Sequence, residues 1–208
     1  MLNTYEFKTL SPTTLADVLT RDRVMDFGIR PLYLDMPRIA GPAFTVRCGT
    51  GDNLMLHAAI YRATPGAVIV VESADCNYAV AGGNVCAVAQ KRGIAGFVID
   101  GVIRDLAEAR ENRFPVFARG IIPIPGGKNV IDTLNDRSVR CGGVEVAPGD
   151  FIVADEEGIV VVPSKDAETI LKKAQAKASK DAGETLETWE KSHRAKIDEA
   201  LRVKGFKK

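Results

Sequence analysis

The sequence predicts an α/β fold in which a parallel sheet, an antiparallel β layer and C-terminal helices follow one another along the chain. Between residues 43 and 120, short β-branched runs alternate with segments of helical periodicity, as they do in parallel βαβ units. Between residues 144 and 162, short β-type runs are separated by turns rich in glycine and acidic residues. After Ser164 the pattern becomes helical.

Length, composition and charge exclude several classes of protein. The chain has 208 residues, 46% of them hydrophobic, and a net charge of +1. We therefore expect one elaborated domain, with an α/β core over residues 1–163 and a helical arm over residues 164–208. No long run of like charge precedes the tail, so we expect no nucleic-acid partner. Without a membrane-length apolar stretch or a signal-peptide pattern, the chain is predicted to be soluble and cytoplasmic.

The first elements are a capped helix, a loop and a strand. Ser11 or a following threonine is expected to cap a short first helix, with Asp17 in its first turn. Several prolines and glycines over residues 27–42 predict a loop. Residues 43–48, AFTVRC, predict a strand that begins after this loop.

A helix and two buried strands come next. Asp52 or Asn53 can cap a helix over residues 54–63. The residues expected on its apolar face are Leu54, Ala58 and Tyr61. Residues 67–72 and 94–99 are short and rich in β-branched residues, as strands covered on both faces are.

The second of these strands leads into an arginine–aspartate pair. Asp100 and Gly101 are expected to end it, and Arg104 and Asp105 then lie in the opening turn of a helix that continues to Arg110. Open α/β sheets bind their ligands at this carboxyl edge. The pair therefore stands where a binding site is expected.

The second half of the core and the arm show different periodicities. Residues 144–146, 151–154 and 159–162 predict an antiparallel layer. A helix through Ile170 and Ala174 follows, and then a second helix with one apolar stripe on a charged rod. The stripe comprises Leu186, Trp189, His193, Ile197 and Ala200.

Two motifs in the core carry candidate chemistry. Arg104 offers a planar fork for a carboxylate, and Asp105 offers a hard oxygen ligand for Mg²⁺ or Mn²⁺. Spacing alone favours an exposed ion pair over a shared ligand site. Gly82-Gly83-Asn84, directly before a helix, can form a nest of backbone N–H groups for an anion, or a plain tight turn.

The histidines and cysteines carry weaker signals. His57 lies among apolar residues, which favours a packed or hydrogen-bonded side chain over a catalytic base. His193 is expected to pack at an interface. The four cysteines form no C-x-x-C pair, so neither a zinc site nor a disulfide framework is predicted. Cys86 has no neighbouring histidine or aspartate and is expected to be a small buried residue.

The order of these motifs resembles that of the RraA-like superfamily. The resemblance extends over residues 11–163 and includes Gly51-Asp52-Asn53, Gly82-Gly83, Asp100-Gly101 and Arg104-Asp105. It implies a swivelling β/β/α fold and a trimer or hexamer with its active site between subunits. Some members are 4-hydroxy-4-methyl-2-oxoglutarate (4-carboxy-4-hydroxy-2-oxoadipate) aldolases, and others are non-catalytic regulators of ribonuclease E activity.

The resemblance to the aldolases implies roles for individual residues. Arg104 would hold the carboxylate of a 2-oxo acid, and Asp105 would hold Mg²⁺ or Mn²⁺. The amides of the glycine turn would also bind substrate; this turn comprises Gly82, Gly83, Asn84 and Val85. The expected reaction is metal-dependent cleavage of a 4-hydroxy-2-oxo acid to pyruvate through an enolate, with oxaloacetate decarboxylation as a second activity. The alternative is a regulatory protein with a vestigial site.

Two acidic positions differ in how well they match the aldolases. This chain has Gly83 where the aldolases carry an acidic residue twenty-one positions before the arginine, so the metal's outer shell is expected to be built differently. The aldolases take another acidic residue from an adjacent subunit. Glu184 is its nearest counterpart by distance along the chain.

Overall fold

The computed structural model describes residues 4–206. Residues 1–3 and 207–208 lie outside this part. The prediction about a signal peptide includes the first three of these residues, and the predicted arm includes the last two. The chain forms two compact units, one up to Ala174 and one from Gln175 onward. Along the described chain, no helix combines the length and the apolarity needed to cross a membrane.

The helices and strands alternate through most of the first unit. In chain order they are α1 (Thr4–Thr9), α2 (Pro12–Ala16), β1 (Arg30–Pro31), β2 (Ile39–Cys48), α3 (Leu54–Ala59), β3 (Val68–Ser73), α4 (Gly83–Lys91), β4 (Gly96–Ile103), α5 (Leu106–Glu111), β5 (Val116–Ile121), β6 (Val139–Cys141), β7 (Val144–Val146), β8 (Phe151–Asp155), β9 (Gly158–Val162), α6 (Ala167–Ala182) and α7 (Leu186–Val203).

The first unit is built on a seven-stranded sheet with the order β1-β5-β4-β3-β2-β8-β9. The four strands β2, β3, β4 and β5 run parallel to one another. Strand β1 pairs antiparallel with β5, β8 pairs antiparallel with β2, and β9 pairs antiparallel with β8. The two end strands β1 and β9 also contact each other, so the sheet is nearly closed. The predicted α/β class with parallel βαβ units and an antiparallel β layer is confirmed.

The alternating side chains of β3 show how the two faces of the sheet are covered. Ile69 and Val71 pack into a cluster with residues of α3, α4 and α5. Val68 and Val70 point the other way, into a cluster with the β6–β7 hairpin. Because side chains alternate along a strand, one buried strand serves both cores. This arrangement gives three layers, with helices on one face and a β layer on the other.

Strand β4 is longer than the sequence predicts. Asp100 and Gly101 were expected to end it, but β4 continues to Ile103. The Asp100 carboxylate is satisfied there, because it accepts hydrogen bonds from the Arg119 guanidinium and from the Gly142 amide. The pairing of β4 with β5 shifts register between Ile99 and Val102. Arg104 consequently follows the strand directly.

The helix predictions need two corrections. The Ser11 hydroxyl accepts a hydrogen bond from the Thr14 amide and caps α2, but Asp17 lies at the C-terminal cap instead of the first turn. Helix α3 ends at Ala59, and its buried residues are Met55, Leu56 and Ala59. The predicted face was wrong, since Tyr61 is exposed. Helical spacing fits both sets of residues, and only packing selects between them.

The strand predictions missed three elements. β1 and the first part of β2 lie within residues 27–42, which were expected to form a loop. β5 was not predicted as a strand. β6, which pairs with the predicted β7 across Gly142 and Gly143, was also missed. Both glycines have positive φ, as a tight hairpin turn requires.

The second unit contains the end of α6 and the whole of α7. None of the α7 side chains is buried in the described chain. Leu186 is 79% exposed and Trp189 47% exposed. The Trp189 ring stacks on His193 with 4.4 Å between the ring centroids. The predicted apolar stripe is therefore present and exposed on the single chain.

Candidate active site

Two helices begin side by side at the carboxyl edge of the parallel strands. Helix α4 starts at Gly83 with Gly82 as its N-cap, and helix α5 starts at Leu106 with Asp105 as its N-cap. The Arg104 amide donates to the Ala81 carbonyl over 3.0 Å, which fixes the two starting segments to each other. The two sequence motifs, separated by about twenty residues, thus meet at one place.

Arg104 and Asp105 form an ion pair at this place. The Arg104 Nε atom lies 3.2 Å from the Asp105 Oδ2 atom, and both side chains remain 37–41% exposed. Asp105 has φ 54° and ψ 43°, a left-handed conformation that costs energy for a residue other than glycine. This conformation ends β4's extension and turns the carboxylate toward α4. The ion pair that spacing alone fits is therefore present, and a shared role of the two residues in ligand binding stays a prediction.

The glycine turn is shaped by close contact with this pair. A Cβ atom on Gly82 would lie 2.6 Å from Asp105 Oδ2 and 3.1 Å from Arg104 Cγ. The Gly83 amide donates to Asp105 Oδ2 over 3.3 Å. A side chain at position 82 would therefore displace the carboxylate from the N-terminus of α4.

A cavity of about 90 Å³ opens between the two helix starts. Its walls combine the predicted site residues with a helix and a loop from elsewhere in the chain. The lining residues are Asn53, His57, Ala79, Ala81, Gly82, Asn84, Val85, Arg104, Asp105, Pro125 and Lys128. Gly83 does not line it and acts through its amide. The small volume suits a compact acid better than a nucleotide.

Three polar residues on the cavity wall were not predicted as site residues. They are Asn53, His57 and Lys128. Asn53 is 3% exposed, its Nδ2 donates to the Gly126 carbonyl, and its Oδ1 has no hydrogen-bond partner in the described chain. Buried acceptors are normally paired. The Asn53 Oδ1 atom is therefore an unpaired acceptor, within the described residues, on a residue that borders the cavity.

The His57 side chain faces positive charge on the cavity wall. Burial, followed by the charges of Lys128 and Arg104, lowers the pKa of His57 from its ordinary value, while Asp52 opposes the shift. The imidazole is therefore neutral near pH 7. A sequence signal was present, since His57 lies one turn after Asn53, but local context favoured packing.

Asp52 holds the loop that carries Lys128. Its carboxylate accepts hydrogen bonds from the amides of Leu54 at 2.9 Å, Asn129 at 2.5 Å and Val130 at 3.3 Å. The buried carboxylate thus joins the start of α3 to the loop after β5. This contact brings a distant lysine to the cavity.

The donor chemistry of the site fits a hard divalent cation for which water and substrate supply most of the ligands. Asp105 supplies one half-exposed carboxylate. Within residues 4–206, no cluster of three or more histidine, cysteine, aspartate or glutamate side chains could enclose a metal ion. Mg²⁺ typically binds one or two carboxylates together with substrate oxygens and water. An open site with one carboxylate matches that pattern, and it does not match a closed structural metal site.

Three of the four cysteines are buried, including Cys86 in α4. Cys86 is fully buried, and burial, followed by the charge of Asp105, raises the pKa of its thiol to about 12. Cys48 and Cys141 are buried as well. The thiolate needed for attack is therefore strongly disfavoured at Cys86.

Glu184 lies in the second unit, in the turn between α6 and α7. It borders an open groove of about 590 Å³ together with Trp189 and His193. Its role toward a neighbouring subunit remains a prediction.

The fold and the cavity define a three-layered α/β protein with a small cavity at the start of two helices. The family model described as RraA-like, Aldolase/RraA, matches residues 12–161. A protein of Halalkalibacterium halodurans named "Putative 4-hydroxy-4-methyl-2-oxoglutarate aldolase" is 37% identical over 202 residues, which are 97% of this chain and 91% of that protein. The chain belongs to the RraA-like family.

Solved structures place the same fold in proteins with another described role. Streptomyces coelicolor RraAS2, described as an unusual member of the RNase ES inhibitor RraA family, aligns with a TM-score of 0.69 and 29% identity over 93% of this chain and 96% of that one. The RNA-processing inhibitor RraA from Thermus thermophilis aligns with a TM-score of 0.66 and 27% identity over 78% of this chain and 93% of that one. The resemblance noted from the sequence motifs is confirmed.

Proposed function

We propose that the protein is a divalent-metal-dependent lyase that releases pyruvate from a 4-hydroxy-2-oxo acid and also decarboxylates oxaloacetate. The observation that carries the proposal is the convergence of Arg104, Asp105 and the N-terminus of α4 on one small cavity. The relative named as an aldolase, similar over nearly the whole chain, supports the same reaction class.

Arg104 and the glycine turn would bind the carboxylate of the substrate. A guanidinium makes two parallel hydrogen bonds to a carboxylate, which fixes orientation as well as charge. The amides of Asn84 and Val85 lie in the first turn of α4, where N–H groups lack intrahelical partners. Lys128 adds positive charge to the cavity wall, which favours anionic substrates.

Asp105 would hold Mg²⁺ or Mn²⁺ at the mouth of the same cavity. The bound cation would supply positive charge to the developing enolate oxygen. In the cleavage, the C4 hydroxyl loses its proton, the C3–C4 bond pair moves into the C2–C3 bond, and a carbonyl compound leaves. Protonation of C3 then gives pyruvate. Loss of CO₂ from oxaloacetate places electrons on the same carbon, so both activities would share one site.

The test is pyruvate release from a panel of 4-hydroxy-2-oxo acids and oxaloacetate, with Mg²⁺ or Mn²⁺ and with EDTA. We expect turnover that needs the cation and that Asp105→Asn removes, because an amide is a poorer ligand for a hard cation. Glu111→Gln, on the exposed end of α5, is the matched control and should retain activity. Full turnover in EDTA would overturn the metal role.

The second candidate is a non-catalytic regulatory protein, which the described roles of the RraA relatives favour. It requires a partner-binding surface and no turnover. Absence of pyruvate release from every substrate in the panel, together with binding to a ribonuclease, would favour it. The near-neutral net charge of +1 does not discriminate between the lyase and the regulatory protein.

A further inference from the structure

Two carboxylates flank the glycine turn at the start of α4, and the second belongs to Glu108. We propose that Glu108 is a positioning residue of the cation site, where its carboxylate fills the space that a side chain at position 83 would occupy. The inference rests on the proposed function, since it concerns the cation expected at Asp105. It explains how a chain with glycine at position 83 can keep acidic character beside Asp105.

The geometry around Gly83 supports this assignment. A Cβ atom on Gly83 would lie 1.7 Å from Glu108 Oε2, 2.5 Å from its Cδ and 2.8 Å from its Cβ. The Gly83 amide is 3.3 Å from Asp105 Oδ2. With roughly 2.5 Å between an amide nitrogen and its own Cβ, the two carboxylate oxygens lie within about 7.5 Å of each other. This upper limit allows the Glu108 carboxylate to reach the hydration shell of a cation held by Asp105.

The Glu108 carboxylate has no hydrogen-bond or ion-pair partner in the described part of the chain. A glutamate three residues after an N-cap often bonds back to the N-cap amide, as in a capping box. Helix α5 shows no such side-chain cap. The Glu108 carboxylate is exposed and is not used as a cap, so it is accessible to a ligand from solvent.

The charges explain why a second carboxylate is useful here. Arg104 already pairs with Asp105 and offsets its charge. A divalent cation next to a guanidinium is repelled unless further negative charge lies close by. Glu108 supplies that charge. Burial, and then the negative charges of Asp105 and Glu108, raise the pKa of the Cys86 thiol in α4.

The test is the affinity for Mn²⁺ alone, measured by electron paramagnetic resonance or calorimetry without substrate. We expect Glu108→Gln to weaken Mn²⁺ binding about tenfold, as loss of outer-shell partners does. Glu111→Gln, the same change one turn further along α5, should stay within about twofold of wild type by the weakness of distant exposed charges. Wild-type affinity in Glu108→Gln, with binding lost in Asp105→Asn, would overturn the inference and leave the proposed function intact.

A second variant tests the position of Glu108. Gly83→Ala should push the carboxylate away, and it should weaken Mn²⁺ binding in the wild type but add little in the Glu108→Gln background. Fully additive losses would contradict the proposal. Thermal unfolding of each variant separates this effect from misfolding, and Glu108→Gln carries the test alone if Gly83→Ala does not fold. If the wild type binds no Mn²⁺, the proposed metal role itself fails.

Discussion

At the scale of single residues, one left-handed aspartate organises the site. Asp105 leaves the β4 strand, caps α5 and turns its carboxylate against the glycine turn of α4. Position 82 requires glycine, because the Cβ atom of any other residue would lie 2.6 Å from that carboxylate. The strained backbone of Asp105 and the bare turn at Gly82 are therefore two parts of one arrangement.

Arg104 gives the most specific test at this scale. Arg104→Lys keeps the charge but loses the planar fork, so kcat/KM for pyruvate release should fall by about 100-fold, or about 2.7 kcal/mol. Circular dichroism and thermal unfolding should remain close to wild type, because the side chain is 41% exposed. A lysine variant within threefold of wild type would show that two-pronged binding is not needed.

His57 gives a test based on pH. Its folded-state pKa lies below the ordinary value of 6.5, mainly because of burial. The unfolded chain therefore takes up this proton at higher pH than the folded chain. The stability that depends on neutral His57 is fully present above about pH 6.5 and is lost as the pH falls through the lowered pKa. Urea unfolding at pH 7.5 and below 6.5 should show this loss.

The comparison with two variants isolates the His57 contribution. His57→Gln should show a smaller loss of unfolding free energy on acidification than wild type. His193→Gln removes an exposed imidazole from α7 and serves as the control. An equal acid-induced loss in wild type and His57→Gln would show that this histidine does not titrate with folding.

At the scale of elements, the site depends on a loop held by a helix start. The Asn53 amide donates to the Gly127 carbonyl, and the Gly127 amide donates to the Gly51 carbonyl. Asp52 adds three hydrogen bonds to backbone amides across the same junction. The loop carrying Lys128 is therefore positioned through backbone pairing, far along the chain from the residues it contacts.

Asp52→Ala should lower the free energy of unfolding by about 3 kcal/mol, because it removes a buried carboxylate that accepts three hydrogen bonds from backbone amides. Chemical denaturation measures this change. Glu157→Ala, in an exposed turn, should change stability by less than about 0.5 kcal/mol. Activity of the Asp52 variant should fall as well, since Lys128 loses its support. Unchanged stability would mean that water replaces all three contacts.

The sequence predicted the site only where its parts are local. Arg104, Asp105 and the glycine turn follow strands at predictable positions, so periodicity and turn residues locate them. Asn53, His57 and Lys128 come together through the long-range contact between the start of α3 and the loop after β5. No local sequence pattern predicts which loop contacts the start of which helix. β6 was missed for a similar reason, since a three-residue strand is defined by its partner.

At the scale of the whole molecule, the apolar stripe of α7 stays exposed in the described part of a single chain. Leu186, Trp189 and Ile197 are exposed on a charged helix. Apolar stripes of this kind commonly mark contacts between subunits. We predict that the arm docks on a neighbouring subunit of a trimer or hexamer and brings Glu184 near that subunit's site.

Deleting residues 181–208 should dissociate the oligomer and abolish metal-dependent turnover. Sedimentation and pyruvate release measure the two effects. A truncation after Val203, which keeps α7, is the control and should preserve both. A protein without the arm that sediments as the same oligomer and stays active would show that the arm only covers its own subunit.

The central claim is that Asp105 and Arg104 form one site in which a 2-oxo acid becomes an enolate. The most direct measurement is exchange of the pyruvate methyl protons for deuterium in D₂O, followed by proton NMR, because it needs no knowledge of the full substrate. We expect exchange that requires the protein and Mg²⁺ or Mn²⁺ together and that both Asp105→Asn and Arg104→Lys reduce at least tenfold, or about 1.4 kcal/mol. Exchange in wild type no faster than with the cation in buffer, or exchange in both variants as fast as in wild type, would contradict the account.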